Sequence, residues 1–333
     1  MKILLIGEFP PPYGGISVHV AGIHKALTAA GIRSQVLDIT RVRQPVKFGA
    51  ALFRAVLRGW TPHLHTNGHN PKSWLVALAC GVAGKARGGS VLTLHSGLAP
   101  RYLSGISVWK RWCAARTCLL YGRVLCVSPA IRHAVILLGV PAERTEIAPA
   151  CLPVSVPHVA LDAYLQAWTE RHRPLFSTAL FFRPEYGFDL LVAGLAKFRA
   201  RNPRFGCVVM GSGERQAEAR QLVKDAGLED NLLLVGDVEH DTCLELMSRS
   251  DVFLRPTLED GDSISVREAI SLGVPVVASR TGARPAGAIL FEPGNMEDML
   301  SKLDLALTLG RSVAAPLAGP VPRLLEIYNE GTA

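Results

Sequence analysis

Residues 251–279, DVFLRPTLEDGDSISVREAISLGVPVVAS, decide the fold more than any other stretch of this sequence. An apolar strand leads into an acidic turn that contains glycine, a helix begins near Ser263, and residues 274–278 form a second apolar strand. This order is typical of an open parallel sheet, where the carboxyl ends of strands meet helix N-termini that attract phosphate. Two carboxylates flank the turn, Asp260 and, after seven intervening residues, Glu268.

Strand and helix signals alternate along the chain in two series, which predicts two doubly wound, Rossmann-like α/β domains. Residues 149–174 contain four prolines and interrupt the alternation, so they separate the two series. We expect the carboxyl ends of both sets of strands to line one central cleft. The predicted parts are an N-terminal domain over 1–155, a linker over 156–174, a C-terminal domain over 175–310, and a terminal helix within 311–333 that either crosses back to the first domain or lies on the surface.

Length and composition favour a folded cytosolic protein. The chain has 333 residues, of which 49% are hydrophobic and 19% charged, enough for two cores and too apolar for a disordered protein. Its seven cysteines show no metal-ligand spacing, and the odd number argues against a disulfide framework. The first apolar run is too short for a signal peptide, and the longest, residues 74–83, is too short to span a bilayer. We therefore expect a cytoplasmic protein.

The charge is divided unevenly between the two halves. Residues 1–174 carry 20 basic and 6 acidic residues, whereas residues 175–333 carry 16 and 22. The basic residues concentrate at 41–60 and 101–124, where they alternate with apolar and aromatic residues as in helices that lie on anionic membranes. This predicts peripheral attachment to the inner face of the plasma membrane; the alternative is a solvated basic face over an ordinary core. Nucleic acid is not an expected partner, because no recognition motif accompanies the charge.

Glycines and histidines mark other strand ends. Gly14 and Gly15 follow the first strand, where they allow either close approach of a ligand or a tight turn. The dinucleotide pattern GxGxxG is absent there, and MGSGER (210–215) supplies only two spaced glycines. His95 ends the strand VLTLH, so we expect its imidazole to face a ligand.

A zinc site at HLHTNGH (63–69) is not expected. Its three histidines, His63, His65 and His69, span a strand and the following loop, and no acidic residue or thiol is near them in the sequence.

Six motifs occur in the order typical of retaining glycosyltransferases of the GT-B fold, family 4 type, and the chain resembles that family over nearly its whole length. The motifs are GGISVHV (14–20), VLTLH (91–95), VLCVSPAI (124–131), VVMGSGER (208–215), NLLLVGDV (231–238) and the block at 255–279. The last is the most specific, because the family pairs two acidic residues across seven positions before a GxPVVAS strand. Here Asp260 replaces the usual glutamate at the first position, and Glu268 stands at the second.

The resemblance implies a nucleotide-sugar donor bound mainly by the C-terminal domain and a glycan or lipid-linked acceptor bound by the N-terminal domain. It implies three catalytic residues: Glu268 on the ribose, Asp260 against the donor sugar, and His95 on a sugar hydroxyl. Further implied donor contacts are the backbone at Ser263, Ile264 and Ser265, the phosphate floor at Gly14 and Gly15, and the nucleotide space at Gly211 and Gly213. No metal or other cofactor is implied, and the predicted function is retaining, metal-independent transfer in cell-surface polysaccharide synthesis.

The chain departs from the family at the predicted diphosphate site. The family usually has Gly-Arg, and then Lys-Gly, near the start of the second domain, whereas this chain has Leu180, Phe181 and Tyr186 at the Gly, Arg and Lys positions. A diphosphate leaving group needs cations or helix N-termini to stabilise its charge. Arg183 is the candidate substitute, with Arg255 and Arg267 in reserve.

Two other functions stay open from the sequence. Asp260-Gly261-Asp262 has the DxD form of metal-dependent transferases of the other major fold, which would require manganese or magnesium. The missing Gly-Arg and Lys suggest instead a non-catalytic, nucleotide-sugar-binding subunit of a glycosylation assembly.

Overall fold

The computed structural model describes residues 1–11, 13–42, 44–85, 89–150, 154, 159–311 and 321–330. The chain divides into two compact units. Unit 1 comprises Met1–Leu152 and Ala318–Ala333, and unit 2 comprises Pro153–Leu317. In the part of the chain that is described, no helix has the length and apolar character needed to cross a membrane.

Strands and helices alternate through both units. The strands are β1 (Lys2–Gly7), β2 (Arg33–Asp38), β3 (Thr61–Thr66), β4 (Val91–Leu94), β5 (Arg123–Cys126), β6 (Thr145–Ile147), β7 (Leu175–Ala179), β8 (Gly206–Met210), β9 (Leu232–Gly236), β10 (Val252–Arg255), β11 (Val276–Ser279) and β12 (Ala288–Phe291). The helices are α1 (Gly15–Ala29), α2 (Pro45–Leu57), α3 (Pro71–Lys85), α4 (Ala99–Gly105), α5 (Val108–Cys118), α6 (Pro129–Leu137), α7 (Ala163–Arg171), α8 (Phe188–Arg199), α9 (Gln216–Asp225), α10 (His240–Ser248), α11 (Ile264–Ser271), α12 (Met296–Leu309) and α13 (Val321–Glu330).

Unit 1 contains a six-stranded parallel sheet with the order β2-β1-β3-β4-β5-β6. Its strands β1 (KILLIG) and β4 (VLTL) are short apolar runs that are almost wholly buried, as expected for strands covered on both faces by helices, whereas the edge strand β2 (RSQVLD) is largely polar. Ile3 and Leu5 of β1 are fully buried and pack with Val20, Ile23 and Leu27 of α1. The spacing of these three α1 residues places them on one face of the helix, which therefore lies on the sheet.

The C-terminal helix α13 packs on unit 1. Leu324, Ile327 and Tyr328 are buried in the same cluster as β1 and α1. The Tyr328 hydroxyl lies 2.5 Å from Nδ1 of His63 on β3, whose Nε2 lies 2.8 Å from the Thr93 hydroxyl on β4. A buried hydrogen-bond chain thus joins the last helix to the centre of the first sheet.

Unit 2 repeats the architecture with the strand order β12-β11-β10-β7-β8-β9, again all parallel. Its largest core cluster lies between the sheet and helices α8 and α12, and it includes Phe176, Phe198 and Phe205 with ring centroids 5.4–5.8 Å apart. The prediction of two doubly wound α/β domains is therefore confirmed.

The predicted linker at 156–174 is wrong over much of its length. Helix α7 occupies Ala163–Arg171, and its Trp168 is buried in a unit 2 core cluster with Leu175 and Val208. The prolines around the helix dominated the prediction, although Asp162 is a helix N-cap whose carboxylate accepts from the Leu165 N–H at 2.9 Å.

Candidate functional site

Each sheet has one position at which the strand order reverses. In unit 2 the chain proceeds outward from β7 to β9 on one side and from β10 to β12 on the other, so the reversal lies between β7 and β10. In unit 1 the corresponding position lies between β1 and β3. Ligands of open parallel sheets bind at the carboxyl ends of the strands at such switch points. The candidate residues at 260–268 follow β10, and those at 14–15 follow β1.

The N-terminus of α11 lies at the unit 2 switch point. Ser263 is its N-cap, and the Ser263 hydroxyl accepts from the Val266 N–H at 3.4 Å. The hydroxyls of Ser263 and Ser265 lie 3.0 Å apart, whereas the Ile264 side chain is buried. This arrangement fixes the first turn of the helix, whose N–H groups and dipole favour an anion.

Asp260 is held by two arginines of its own unit. Its Oδ2 atom lies 3.1 Å from Arg255 Nε and 3.0 Å from Arg284 Nη1, and it accepts from the Thr257 hydroxyl at 3.3 Å. Burial acts to raise the pKa of Asp260, but the two guanidinium groups outweigh it and hold the pKa below its usual value. Asp260 is therefore an oriented, ionised carboxylate at neutral pH.

Asp262 is also paired with an arginine. Both of its carboxylate oxygens accept from Arg267 Nε, at 2.7 and 2.9 Å, and its side chain is fully buried. Arg255 and Arg267, the reserve cations for the diphosphate, thus neutralise the two aspartates instead. The Asp260–Gly261–Asp262 triplet presents carboxylates that are each bound by guanidinium groups, an arrangement unlike the open carboxylates of a magnesium site.

Glu268 lies on the first two turns of α11 and is buried. Its Oε1 atom lies 2.7 Å from Nε2 of His240, the first residue of α10. Because His240 fixes one carboxylate oxygen, the orientation of Glu268 depends on a residue that follows β9. Glu268 thus joins two of the loops at the carboxyl edge of the unit 2 sheet.

Gly211 and Gly213 allow the loop after β8 to cross the loop after β7. A Cβ atom added at Gly211 would lie 2.0 Å from the Leu180 carbonyl oxygen, and one at Gly213 would lie 2.8 Å from the Phe182 nitrogen. Gly211 also has a φ of +120°, which L side chains rarely adopt. The two glycines therefore serve backbone packing in the described structure.

We predict that Gly211→Ala lowers the free energy of unfolding by about 2–3 kcal/mol, because it adds a backbone clash to the cost of a positive φ. Gly236→Ala is the matched control: Gly236 has a φ of +77° but its added Cβ meets no described atom within 4 Å. Urea unfolding of both variants measures the difference, and an equal loss in the two would contradict the packing role of Gly211.

Gly14 and Gly15 begin α1 at the unit 1 switch point. Gly14 is the N-cap with an extended φ of −143°, and its N–H donates to the Ser17 hydroxyl at 2.8 Å. A Cβ atom at Gly15 would meet no described atom within 4 Å. The described structure therefore shows no steric need for glycine at position 15, and the role of Gly14 and Gly15 beside a ligand stays a prediction.

His95 lies in a group of imidazoles in unit 1. Its Nε2 atom is 3.1 Å from Nδ1 of His65 at the end of β3, and its ring centroid is 5.1 Å from that of His19 on α1. His95 itself is half-buried. His63 and His69, which were not expected to form a zinc site with His65, have other partners: His63 lies 2.5 Å from the Tyr328 hydroxyl and His69 lies 2.7 Å from the Ser96 hydroxyl.

Comparison with known families accounts for both units. Residues 173–315 match the family model described as glycosyl transferases group 1, and residues 40–155 match the model described as glycosyltransferase family 4. Each unit of the chain thus matches a glycosyltransferase family.

Solved structures with the same fold cover the whole chain. The Anabaena protein Alr3699/HepE in complex with UDP-glucose has a TM-score of 0.74 and 18% identity, over 99% of each chain. The catalytic domain of starch synthase IV from Arabidopsis thaliana, bound to ADP and acarbose, has a TM-score of 0.71 and 14% identity, over 100% of this chain and 99% of that one. The chain therefore has the GT-B fold.

Curated relatives match over shorter regions. The lipopolysaccharide core biosynthesis mannosyltransferase LpsB of Rhizobium meliloti is 32% identical over 30% of this chain and 30% of its own length. The amylovoran biosynthesis glycosyltransferase AmsK of Erwinia amylovora is 24% identical over 49% of this chain and 40% of its own. The chain spans less than half of the length of the curated relatives it matches.

The loop after β7 differs from the pattern of this family in a specific way. Arg183 is exposed, and its guanidinium lies over the Phe181 ring at 5.6 Å. Phe181 contacts Tyr186 edge-on at 5.7 Å, and Arg255 lies 5.1 Å from the centre of the Tyr186 ring. Two aromatic rings thus lie between the Arg183 guanidinium and the Arg255 guanidinium that binds Asp260, where the family usually has Arg and Lys.

Arg183 also lines a surface pocket of about 330 Å³ with Arg215, Asp189, Glu218 and Asp225. Arg215 Nε is paired with Glu218 at 2.6 Å, whereas Arg183 forms no ion pair with the described residues. The side chain is therefore available to an anionic ligand.

Sequence reasoning missed three residues of these sites: Arg284, His240 and His19. Arg284 also donates to the Ser279 carbonyl and the Thr257 hydroxyl, both at 3.0 Å. Each of the three contacts a predicted residue that lies on a different element of the fold. No spacing within a short stretch of sequence could therefore indicate the contact. Their positions in the chain were the only signal: His240 begins α10, Arg284 follows β11, and His19 lies in the second turn of α1.

Proposed function

We propose that this protein is a retaining glycosyltransferase that moves a sugar from a nucleotide-sugar donor to a glycan or lipid-linked acceptor, without a metal in the transfer step. One observation carries the proposal: Asp260 and Glu268 flank the capped N-terminus of α11 at the unit 2 switch point, each held by a cationic or imidazole partner. A helix N-terminus beside two oriented carboxylates suits a diphosphate, a ribose diol and a sugar.

In the proposed reaction, the bond between the sugar and the diphosphate breaks through an oxocarbenium-like state. The acceptor hydroxyl attacks from the face that the diphosphate leaves, and a phosphate oxygen takes the hydroxyl proton, so the configuration is retained. Asp260, ionised because of its arginine partners, would stabilise the positive charge on the sugar. Glu268 would accept hydrogen bonds from the ribose, and His95 would contact a sugar hydroxyl.

The diphosphate would be bound by backbone N–H groups at Ser263, Ile264 and Ser265 and by the Arg183 side chain. Arg183 is exposed and lies beside the carboxyl end of β7, the second strand of the switch point. Gly14 and Gly15 would place backbone N–H groups near the phosphate and acceptor. No protein nucleophile is needed for this route.

A thermal-shift screen against UDP-, GDP- and ADP-sugars tests the proposal. We expect one donor class to raise the melting temperature, because a ligand at about 100 times its dissociation constant stabilises the native state by about 2.7 kcal/mol. The matching free nucleoside is the control and should give a much smaller shift. If no donor of the three classes stabilises the protein, the proposal fails.

A specific observation favours one other function, a nucleotide-sugar-binding subunit without catalysis. Leu180, Phe181 and Tyr186 replace the residues that supply two cations in the family. Donor binding without transfer to any lipid-linked acceptor would support that function. A metal-dependent reaction through Asp260 and Asp262 is less well supported, because arginines bind both carboxylates; transfer in excess chelator would exclude it.

We further propose that unit 1 binds an anionic membrane surface through α2, α3 and α5. Adjacent helices in this set expose apolar side chains: Val46, Phe53 and Leu57 on α2, Leu75, Leu78 and Val82 on α3, and Val108, Trp109 and Trp112 on α5. Basic residues lie among them, including Lys47, Arg54, Lys110 and Arg116. An apolar surface edged by basic residues suits the interface of an anionic bilayer, and the proposed site of action is the inner face of the plasma membrane.

Replacing Trp109 and Trp112 together with alanine should weaken binding to anionic vesicles by at least about tenfold, because each buried aromatic side chain contributes about 1.5–3 kcal/mol. Tyr164→Ala, at an aromatic residue of unit 2 that is 65% exposed, is the matched control and should bind normally. Vesicle co-sedimentation measures both. Equal binding of wild-type protein to neutral and anionic vesicles would contradict the proposal.

A further inference from the structure

Three histidines from three elements converge in unit 1. His19 lies in α1, His65 in β3, and His95 immediately after β4. One nitrogen from each ring can be chosen so that all three atoms lie within 4.8 Å of one another. The strands that carry His65 and His95 are neighbours in the sheet, and α1 packs against β3, so the arrangement is built on rigid elements.

The distances suit a small metal ion. Nδ1 of His65 and Nε2 of His95 are 3.1 Å apart, and the His19 ring stands edge-on to both rings at centroid distances of 5.5 and 5.1 Å. Zinc binds imidazole nitrogen at about 2.0–2.1 Å in tetrahedral sites, which separates two ligand atoms by roughly 3.4 Å. Only small side-chain movements would bring three nitrogens to one ion.

Several of these nitrogens are buried without a hydrogen bond in the described part of the chain. They are both ring nitrogens of His19 and Nε2 of His65. Leaving a buried polar group unsatisfied costs about 1–3 kcal/mol, so a ligand at His19 would be favourable. The Nε2 atom of His65 does not count toward the site, because Nδ1 is the atom near His95. His63, the fourth histidine nearby, is excluded from the ligand set because Tyr328 and Thr93 occupy its two nitrogens.

The chemistry of the donor atoms also suits a transition metal. A donor set of imidazoles alone favours zinc and similar transition metals over magnesium or calcium.

We infer that unit 1 binds one zinc ion through His19, His65 and His95. The ion would tie the start of α1 to the carboxyl ends of β3 and β4, the region of the unit 1 switch point. It is not a participant in the proposed transfer reaction. If Nε2 of His95 binds the metal, Nδ1 is the ring nitrogen that can make the proposed contact with a sugar hydroxyl.

Zinc titration of the chelator-stripped, full-length protein tests this inference. Competition with a chromophoric chelator should show one equivalent bound per chain, and Co²⁺ should give the absorption bands of a tetrahedral site. His65→Gln and His95→Gln should each weaken binding by more than about 100-fold, since loss of an outer-shell partner alone costs about 10- to 100-fold. His24→Gln, on the same helix as His19 and bonded to Ser34, is the control and should bind as wild type.

The inference fails if wild-type protein binds no stoichiometric zinc, or if the His65 and His95 variants match the control. Circular dichroism spectra identify any variant that does not fold. The zinc stoichiometry of the wild-type protein tests the inference without the variants. Donor-induced thermal shifts, measured on the same stripped protein, report the proposed function separately, because Asp260 and Glu268, which carry that proposal, are not among the proposed zinc ligands.

Discussion

Glu268→Gln is expected to lower kcat/KM for transfer by about 100-fold or more while leaving the fold intact. The proposed role of Glu268 is to accept hydrogen bonds from two ribose hydroxyls, and hydrogen bonds to a charged group contribute about 1.5–3 kcal/mol each. Glutamine keeps the size of the side chain and can still accept from His240, whose Nε2 lies 2.7 Å from the carboxylate. The loss should therefore be in donor affinity and turnover, with little change in melting temperature.

Glu245→Gln is the matched control for this variant. Glu245 is also buried, lies on α10 with His240, and pairs with Arg249 at 2.7 Å, but it is not among the candidate site residues. Steady-state kinetics and donor calorimetry on both variants separate a site effect from loss of a buried carboxylate. Unchanged turnover in Glu268→Gln would remove Glu268 from the site.

Arg284→Met is expected to lower the free energy of unfolding by about 3–5 kcal/mol, the usual cost of removing one partner of a buried ion pair. The variant would leave Asp260 with Arg255 alone, and it would also remove hydrogen bonds to Thr257 and Ser279. Arg280→Met is the control, because the Arg280–Glu292 pair is about 60% exposed on both sides and should contribute less than about 1 kcal/mol. Urea unfolding measures both.

The same variant has a defined effect on pH dependence. The pKa of Asp260 is lowered in the folded state, so its contribution to stability is present above the ordinary aspartate pKa of 3.8 and is lost as the pH falls through the folded value. Arg284→Met should raise the pKa of Asp260 in the folded state. Less stability should then be lost as the pH falls from about 4 through that pKa. If Arg284→Met is as stable as Arg280→Met and the dependence of its stability on acid pH is unchanged, the role given to the Arg284–Asp260 pair is contradicted.

The sequence was sufficient to predict the fold because the signals are local. Apolar runs such as 2–7 and 206–211 and the helical spacing of Val20, Ile23 and Leu27 each specify one element. Helix α12 was not predicted, although Asn295 caps it and accepts from the Asp298 N–H at 3.0 Å. The sequence therefore contained the N-cap of α12, but the prediction did not use it.

The partners at the candidate sites could not be predicted in the same way. Arg284 is 24 residues from Asp260, and His240 is 28 residues from Glu268. Such pairs form because loops from different strands meet at the same edge of a sheet, and their contacts depend on strand order. The sequence indicated the acidic residues, but only the fold determined that Arg255 binds Asp260 and Arg267 binds Asp262. Arg183 is therefore the cation that we propose for the diphosphate.

The position of a bound nucleotide sugar in a crystal structure with the donor found by the thermal-shift screen tests the central claim most directly. We predict that the ribose hydroxyls lie within hydrogen-bond distance of the Glu268 carboxylate and that a diphosphate oxygen accepts from N–H groups at 263–265. A nucleotide bound away from the carboxyl end of β10, with Asp260 and Glu268 contacting only their protein partners, would contradict the account.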